Sequence, residues 1–221
     1  MSRIVERDLE TLRELGLRMG GLSEAILGKA LQALLRRDTQ LADEVQSDDL
    51  AIDRLDVEID EAVLEVLALQ APVARDLRAV IGVKSIATDL ERVGDLARNI
   101  AKSGRRLADR PGVAVPARLE DLGEECRRQL RLSLDAFSQT STEMAHRVLA
   151  GEDLVDEHEA TVVREAIEEL RRQPEIAAQE VDFIMIAKNL ERVADHATNI
   201  AEEVVRIAES KNLKHAEKLG S

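Results

Sequence analysis

Aromatic residues are almost absent from this 221-residue chain, which has no Trp, no Tyr and only two Phe residues, Phe137 and Phe183. Strands favour aromatic and β-branched side chains, which pair across neighbouring strands. The apolar residues here are almost all aliphatic, as packed helices require. Because only four Pro and eleven Gly interrupt the chain, long unbroken segments remain, and we predict an all-α protein.

Positive charge is also scarce. The chain has 31 Lys and Arg residues against 44 Asp and Glu residues, which gives a net charge of −13. Proteins that bind nucleic acid concentrate Lys and Arg against the phosphates, so a nucleic-acid partner is disfavoured. An acidic chain is better suited to a basic protein surface or to cations.

Cysteine and long apolar runs are missing as well. The single Cys126 cannot form an internal disulfide, which fits a reducing compartment, and we expect it to be a buried packing residue. The N-terminal stretch MSRIVERDLETLRELG has no apolar signal core, and no run approaches about 18 apolar residues. These features predict a cytoplasmic protein that meets a membrane only peripherally, through partners.

Apolar residues recur with helical spacing along nearly the whole chain, and a few breaks divide it. Asp38 or Thr39 stands where a helix N-cap belongs, and ADRPGVAVP at residues 108–116 is the strongest boundary. The pattern predicts six helices, at residues 3–37, 39–69, 73–108, 116–149, 152–171 and 175–210. The corresponding domains are a first bundle at 1–108, a linker at 109–116, a second bundle at 117–213 and a tail at 214–221.

The two halves of the chain are related in sequence. At an offset of 100, residues 85–101 match residues 185–201 at 11 of 17 positions. Earlier in each half an offset of 103 fits better and aligns Asp49–Asp53 with Glu152–Asp156, and ALQALL with SLDAFS. We therefore predict a tandem duplication of an antiparallel three-helix bundle.

Each copy contains a pair of acids four residues apart, in LERVGDLARNIA and in LERVADHATNIA. On a helical projection Leu90, Val93 and Ile100 share one face, whereas Glu91 and Asp95 point nearly the opposite way. Like charges at this spacing repel and cost a few tenths of a kcal/mol. The repeated acids therefore lie on an outer face, where most acids are simply solvated.

A second acidic pair is predicted to lie level with the first on the preceding helix. Helices two and three of each bundle form an antiparallel hairpin, so residues equally far from its midpoint should be neighbours. The count selects Asp49, Asp53, Glu91 and Asp95 in the first half, and Glu152, Asp156, Glu191 and Asp195 in the second.

Four carboxylates on one patch repel one another unless a cation neutralises them, which favours a metal site. Oxygen ligands suit Mg²⁺, Ca²⁺, Mn²⁺ or iron, and Zn²⁺ is a further possibility. A patch this open could hold more than one ion. A solvated acidic face is the alternative, and the residues alone do not decide between the two. Asn99, Asn199 and His196 are candidates for a second shell around such ions.

The sequence resembles the PhoU family of phosphate-signalling proteins. The resemblance rests on QAPVARDLR, TDLERVGDLARNIA and IAKNLERVADHATNIAEEV and extends over nearly the whole chain. It implies two three-helix bundles with multinuclear iron or zinc clusters on their surfaces, held by the family's E(D)xxxD pairs. Those pairs fall on the eight acids selected above.

The same resemblance implies a function as a negative regulator of phosphate uptake and phosphate-regulon signalling. Family members are understood to link the phosphate ABC transporter ATPase to a phosphate-sensing histidine kinase, and they often form homodimers. We expect a non-enzymatic, metal-binding adaptor. The alternatives are a helical metalloenzyme, for which the symmetric site offers no nucleophile or paired His ligands, and a metal-free acidic scaffold.

Overall fold

The structure, a computed structural model, describes residues 3–110 and 112–209, with side chains from residue 6 onward. The predicted tail at 214–221 lies outside these residues. The described part contains seven α-helices and one short 3₁₀ turn, Pro174–Ile176. The helices are α1 (Arg3–Arg36), α2 (Thr39–Gln70), α3 (Ala74–Ala108), α4 (Ala117–Gln139), α5 (Thr142–Leu149), α6 (Glu152–Arg172) and α7 (Ala177–Glu209).

The helices form two bundles that share one hydrophobic core. Helices α1, α2 and α3 pack together, and α7 packs against α4, α5 and α6. The bundles meet where α3 contacts α7 and α1 contacts α4, and the buried apolar residues of both halves make a single cluster. The predicted duplication of a three-helix bundle is confirmed.

The fourth helix ends earlier than predicted. A helix at 116–149 was expected, but α4 stops at Gln139 and Thr140 adopts a left-handed conformation with φ 49°. Ser141 then caps α5, because its hydroxyl accepts the Met144 N–H at 3.3 Å. The first bundle has the same turn at Arg37 (φ 54°). Residues 142–149 therefore belong to the second helix of their bundle.

That second helix is continuous in the first bundle and interrupted in the second. A break at Ala150 and Gly151 separates α5 from α6, whereas α2 runs unbroken through the equivalent positions. A Cβ at Gly151 would collide with the side-chain amide of Gln129 from α4. The interruption puts Glu152 in the first turn of α6, whereas its counterpart Asp49 lies inside α2.

The predicted core faces are buried in both copies. In α3 and α7 the residues concerned are fully inaccessible to solvent: Ile86, Leu90, Val93, Ala97 and Ile100, and Leu190, Val193, Ala197 and Ile200. Cys126 is also fully buried, as expected, and its burial raises the pKa of its thiol. Within the described ranges no helix is both long and apolar enough to cross a membrane.

Candidate functional site

The first acidic cluster lies along the groove between α2 and α3. Helix α2 supplies Asp49 and Asp53, and α3 supplies Glu91 and Asp95. The hairpin register brings them together: the charges of Asp53 and Asp95 act on Asp49, and those of Asp95 and Asp53 act on Glu91. The four acids selected by counting from the hairpin midpoint are therefore neighbours in the folded chain.

Asp49 is the buried member of the first cluster. Its exposed fraction is only 1%, and it lies beneath the surface against Gly94 of α3. A Cβ at Gly94 would stand 2.6 Å from Asp49 Oδ1. Asp53 is exposed, whereas Glu91 and Asp95, the acids expected on an outer face, are half-buried in the groove. Asp49 is buried because α2 approaches α3 closely at a glycine, which a projection of α3 alone does not show.

Arg98 supplies a positive charge inside the first cluster. One nitrogen of its guanidinium contacts the Asp49 carboxylate, and Nη2 donates to Asp95 Oδ1 at 2.6 Å. Burial raises the pKa of Asp49, and the Arg98 charge opposes that rise. Sequence reasoning missed this residue. Aligning the two copies could have drawn attention to it, because Thr198, an uncharged residue, stands at the position equivalent to Arg98.

Glu91 and Asp95 also share an ion-pair partner, Arg92. Its Nε lies 3.4 Å from Glu91 Oε2 and its Nη1 lies 3.3 Å from Asp95 Oδ2. The pKa of Glu91 remains raised, chiefly by burial and then by the Asp95 charge. Two arginines thus face the first cluster, one from within the groove and one from its exposed rim.

The second acidic cluster gathers Asp156 of α6 with Glu191 and Asp195 of α7. Burial raises the pKa of Glu191, and the neighbouring Asp195 raises it further. Burial also raises the pKa of Asp195, with Asp156 as the next cause. Lys188 Nζ forms a salt bridge with Glu159 Oε1 at 3.0 Å, one turn away from these acids. The charges of Lys188 and Arg192 oppose the rise in the pKa of Asp195, and that of Lys188 also opposes the rise for Glu191.

Glu152, the fourth acid predicted for the second cluster, is exposed in the first turn of α6. Its counterpart Asp49 is buried against Gly94, whereas α7 carries Ala194 at the position equivalent to Gly94. The methyl group of Ala194 and the break before α6 explain why Glu152 is exposed whereas its counterpart Asp49 is buried.

The second-shell candidates occupy different surroundings from those expected. His196 Nδ1 lies 2.8 Å from Asp89 Oδ1 of α3, and the Asn199 side-chain amide donates to the same oxygen at 3.1 Å. Both side chains are therefore directed across the boundary between the bundles. Asn99 is exposed on α3. Asp89 was missed by sequence reasoning, and its copy Asn189 gave no sign of this role.

Comparison with known proteins assigns the chain to a family. A family model described as the PhoU domain matches it twice, at residues 17–104 and 119–204. Together these two ranges cover most of the chain. It belongs to the PhoU family. Each PhoU domain runs from within the first helix of a bundle to the last turns of its third helix, so each contains one acidic cluster.

Similar proteins extend this PhoU assignment over the full fold. The phosphate-specific transport system accessory protein PhoU homolog of Caulobacter vibrioides is 36% identical over 186 residues, 84% of this chain and 81% of the relative. A crystal structure of PhoU from Pseudomonas aeruginosa has a TM-score of 0.90 at 30% identity, covering 93% of this chain and 99% of that one.

A second crystal structure, the phosphate transport system regulatory protein PhoU from Streptococcus pneumoniae, has a TM-score of 0.88 at 28% identity. It covers 95% of this chain and 99% of that one. These PhoU relatives are named as accessory and regulatory proteins rather than as enzymes, which confirms the prediction of a non-enzymatic protein.

The two clusters differ in how well they suit a metal. Among the residues with described side chains, no three His, Cys, Asp or Glu groups are arranged to hold an ion. In the first cluster Arg98 already contacts two of the four acids. In the second, Asp156, Glu191 and Asp195 repel one another, the charges of Arg192 and Lys188 act on Asp195, and Thr198 replaces the arginine that contacts two acids of the first cluster. Hard cations prefer such oxygen donors. Fewer carboxylates of the second cluster are therefore engaged by arginine within the described residues.

Proposed function

We propose that this protein is a regulator that restrains phosphate uptake and phosphate-dependent signalling in the cytoplasm. In this role it links a phosphate transporter ATPase to a phosphate-sensing histidine kinase and reaches the membrane only through these partners. The observation that carries the proposal is the PhoU match in both sequence and fold, to relatives named for phosphate transport.

The regulatory role is tested in the source organism by deleting the gene and following a phosphate-regulated promoter. We expect the promoter to stay active at high phosphate in the deletion strain, and the wild-type gene to restore repression. Unchanged repression after deletion contradicts the role. In a separate strain that keeps this gene but lacks the transporter, fractionation should find the protein in the cytoplasmic fraction.

The adaptor role is tested with purified components. The full chain should retain the transporter ATPase in one pull-down and the kinase's cytoplasmic part in another. Retention of neither partner contradicts the adaptor role even if the promoter responds. Sedimentation of the chain alone tests the homodimer that we propose as its solution state.

We further propose that the acidic clusters bind divalent metal, with iron or zinc as the leading ions and Mn²⁺, Mg²⁺ or Ca²⁺ as rivals. The raised pKa values of Glu191 and Asp195 support this, because a cation relieves the repulsion that causes part of the rise. Several ions bridged by carboxylates can occupy one cluster. A metal-free acidic scaffold is the competing reading.

Elemental analysis of protein purified without chelator separates these two readings. We expect bound metal that decreases when Asp156 and Asp195 are both replaced by Asn. The control variant, Asp153→Asn/Glu157→Gln, changes two exposed acids of α6. It should leave the metal content unchanged. Absence of metal, or equal content in both variants, supports the metal-free scaffold.

A further inference from the structure

The outer face of α2 carries an apolar row that the fold does not use. Leu50, Val57 and Leu64 are 53%, 58% and 66% exposed. They stand seven residues apart, so they follow one line along the helix. The buried face of α2, which includes Ile52 and Ile59, points the other way. Single exposed apolar residues are common, but a heptad row of three is a docking pattern.

The second bundle provides an internal comparison. At the offset of 103 the equivalents of Leu50 and Val57 are Asp153 and Ala160, and only Ile167 remains as a large apolar residue. Both bundles have the same architecture. The row is therefore not a requirement of the fold.

The row is bordered by negative charge. Helix α2 contains ten Asp and Glu residues and a single basic residue, Arg54. Six of the ten acids pair with Lys or Arg of α1 and α3. The remaining four are exposed and have no ion pair within the described part of the chain: Asp53, Glu58, Glu61 and Glu65.

We propose that this surface, the α2 ridge, docks a basic amphipathic helix of a partner protein. The α2 ridge consists of the three apolar residues and the four unpaired acids. A helix laid along it would place its apolar residues on the row, and Lys or Arg on either side would meet the carboxylates. The inference deepens the proposed adaptor role and rests on it for the existence of a partner.

Charge argues against two other occupants. A second copy of the chain docked through the same face would bring eight unpaired carboxylates together, which is unfavourable. An anionic membrane surface would be repelled by the same acids. A basic amphipathic helix can bury the apolar row and also pair its Lys or Arg side chains with the acids beside it.

The test uses a synthetic peptide and the full-length chain. The probe is a fluorescent three-heptad helical peptide with Leu at the seam positions and Lys at the flanking positions, followed by anisotropy. We expect saturable binding that weakens at least tenfold for the double variant Val57→Gln/Leu64→Gln. Gln keeps helix propensity, and both sites are exposed, so the variant should fold; circular dichroism and urea unfolding check this.

Two controls sharpen the result. Ile167→Gln, at the position equivalent to Leu64, should leave peptide binding unchanged. A peptide with Glu in place of Lys should bind at least tenfold more weakly. The proposal is overturned by no binding of the basic peptide, by equal binding to the double variant, or by equal binding of the acidic peptide. A change in self-association of the double variant would instead assign the ridge to an interface between copies.

The peptide assay contains no transporter or kinase component. Failure of the pull-downs with normal peptide binding therefore contradicts the adaptor role alone. Normal pull-downs by the double variant contradict the α2 ridge alone.

Discussion

Arg98 and Thr198 occupy the same position in the two copies, and this single difference changes the charge balance of the clusters. Arg98 pairs with a buried aspartate, Asp49, and a half-buried aspartate, Asp95, at once. A threonine carries no charge and cannot do so in the second copy. Burial raises the pKa of Asp49 and Glu91 in the first cluster and of Glu191 and Asp195 in the second, but only the first has an arginine at this position. The duplicated motif therefore forms two sites that differ in charge, because only the first contains an arginine at this position.

Replacing Arg98 by Thr, the residue of the second copy, should destabilise the protein. Asp49 would then be buried without its counter-charge. Breaking a buried ion pair costs about 3–5 kcal/mol, and we expect about 2 kcal/mol here because the arginine is partly exposed. Urea unfolding at neutral pH in the presence of chelator measures the change.

Two variants control this prediction. Arg92→Ala removes a more exposed arginine from the same cluster and should cost less than about 1 kcal/mol. Adding Asp49→Asn to Arg98→Thr should recover most of the loss, since the buried charge is then gone. An Arg98→Thr variant as stable as Arg92→Ala would contradict the pairing.

Asp195→Asn should stabilise the metal-free protein at neutral pH. A raised pKa means that the folded state holds the proton more tightly than the unfolded state does. Stability therefore falls as pH rises from the ordinary Asp value through the raised one, and the full cost of the charge is present above it. Asn removes that cost.

The advantage of Asp195→Asn should disappear near pH 3, where Asp195 is protonated in both states. Thermal unfolding of chelator-treated protein across pH 3–7 measures it. Asp153→Asn, at an exposed site of α6, is the control and should show no comparable pH dependence. A lower melting temperature for Asp195→Asn at neutral pH would contradict the claim that the charge of Asp195 destabilises the folded, metal-free protein.

At the scale of helices, the approach of α2 to α3 depends on a residue without a side chain. Gly94 lets Asp49 and Ile52 of α2 lie against α3, at positions where a Cβ would stand 2.6 Å and 3.1 Å from their atoms. The equivalent contact in α7 carries Ala194. The methyl group of Ala194 occupies space at a position that Gly94 leaves free for α2 in the first bundle.

Gly94→Ala should lower the free energy of unfolding by about 1–3 kcal/mol, as overpacked core positions do. Gly21→Ala is the matched control in α1, where a Cβ meets no atom within 4 Å. It should raise stability by about 0.5–1 kcal/mol through helix propensity alone. Denaturant unfolding of both variants tests the pair, and equal effects would contradict the close approach.

At the scale of the whole molecule, the two bundles are joined through one continuous hydrophobic core. Gly20 of α1 and Gly123 of α4 each lie where a Cβ would be within 3 Å of a leucine from the other helix. Arg106 of α3 donates to Asp182 of α7 at 2.9 Å on the other side of the junction. Apolar and polar contacts thus couple the halves.

Cys126 offers a test of this coupling. It is fully buried in α4, so a thiol reagent should label it only when the second bundle opens. Ile59→Ala creates a cavity in α2, which packs on α1 and α3 of the first bundle, and costs about 2–5 kcal/mol. If the bundles unfold together, this change should speed Cys126 labelling at least tenfold.

Independent bundles would give a different result. Ile59→Ala would then leave the labelling rate of Cys126 unchanged, while Val162→Ala in α6 would still increase it. Val162 is buried in the second bundle. It therefore calibrates how strongly labelling responds to a local cavity.

The helices, the duplication, the buried faces and the grouping of acids around each hairpin are all predictable from the sequence. Each depends on local periodicity or on counting from a turn, and such rules hold wherever an antiparallel hairpin forms. The end of α4 was misread because Thr140 takes a left-handed conformation that Thr rarely adopts. The metal proposed for these acids remains a prediction.

Packing accounts for the features that the pattern could not supply. The burial of Asp49 depends on how closely α2 approaches Gly94, and the reach of Arg98 depends on where that carboxylate lies. The direction of His196 depends on α3 and α7 meeting between bundles. These are contacts between residues far apart in the chain, and helical periodicity specifies a face of one helix but not the neighbour that covers it.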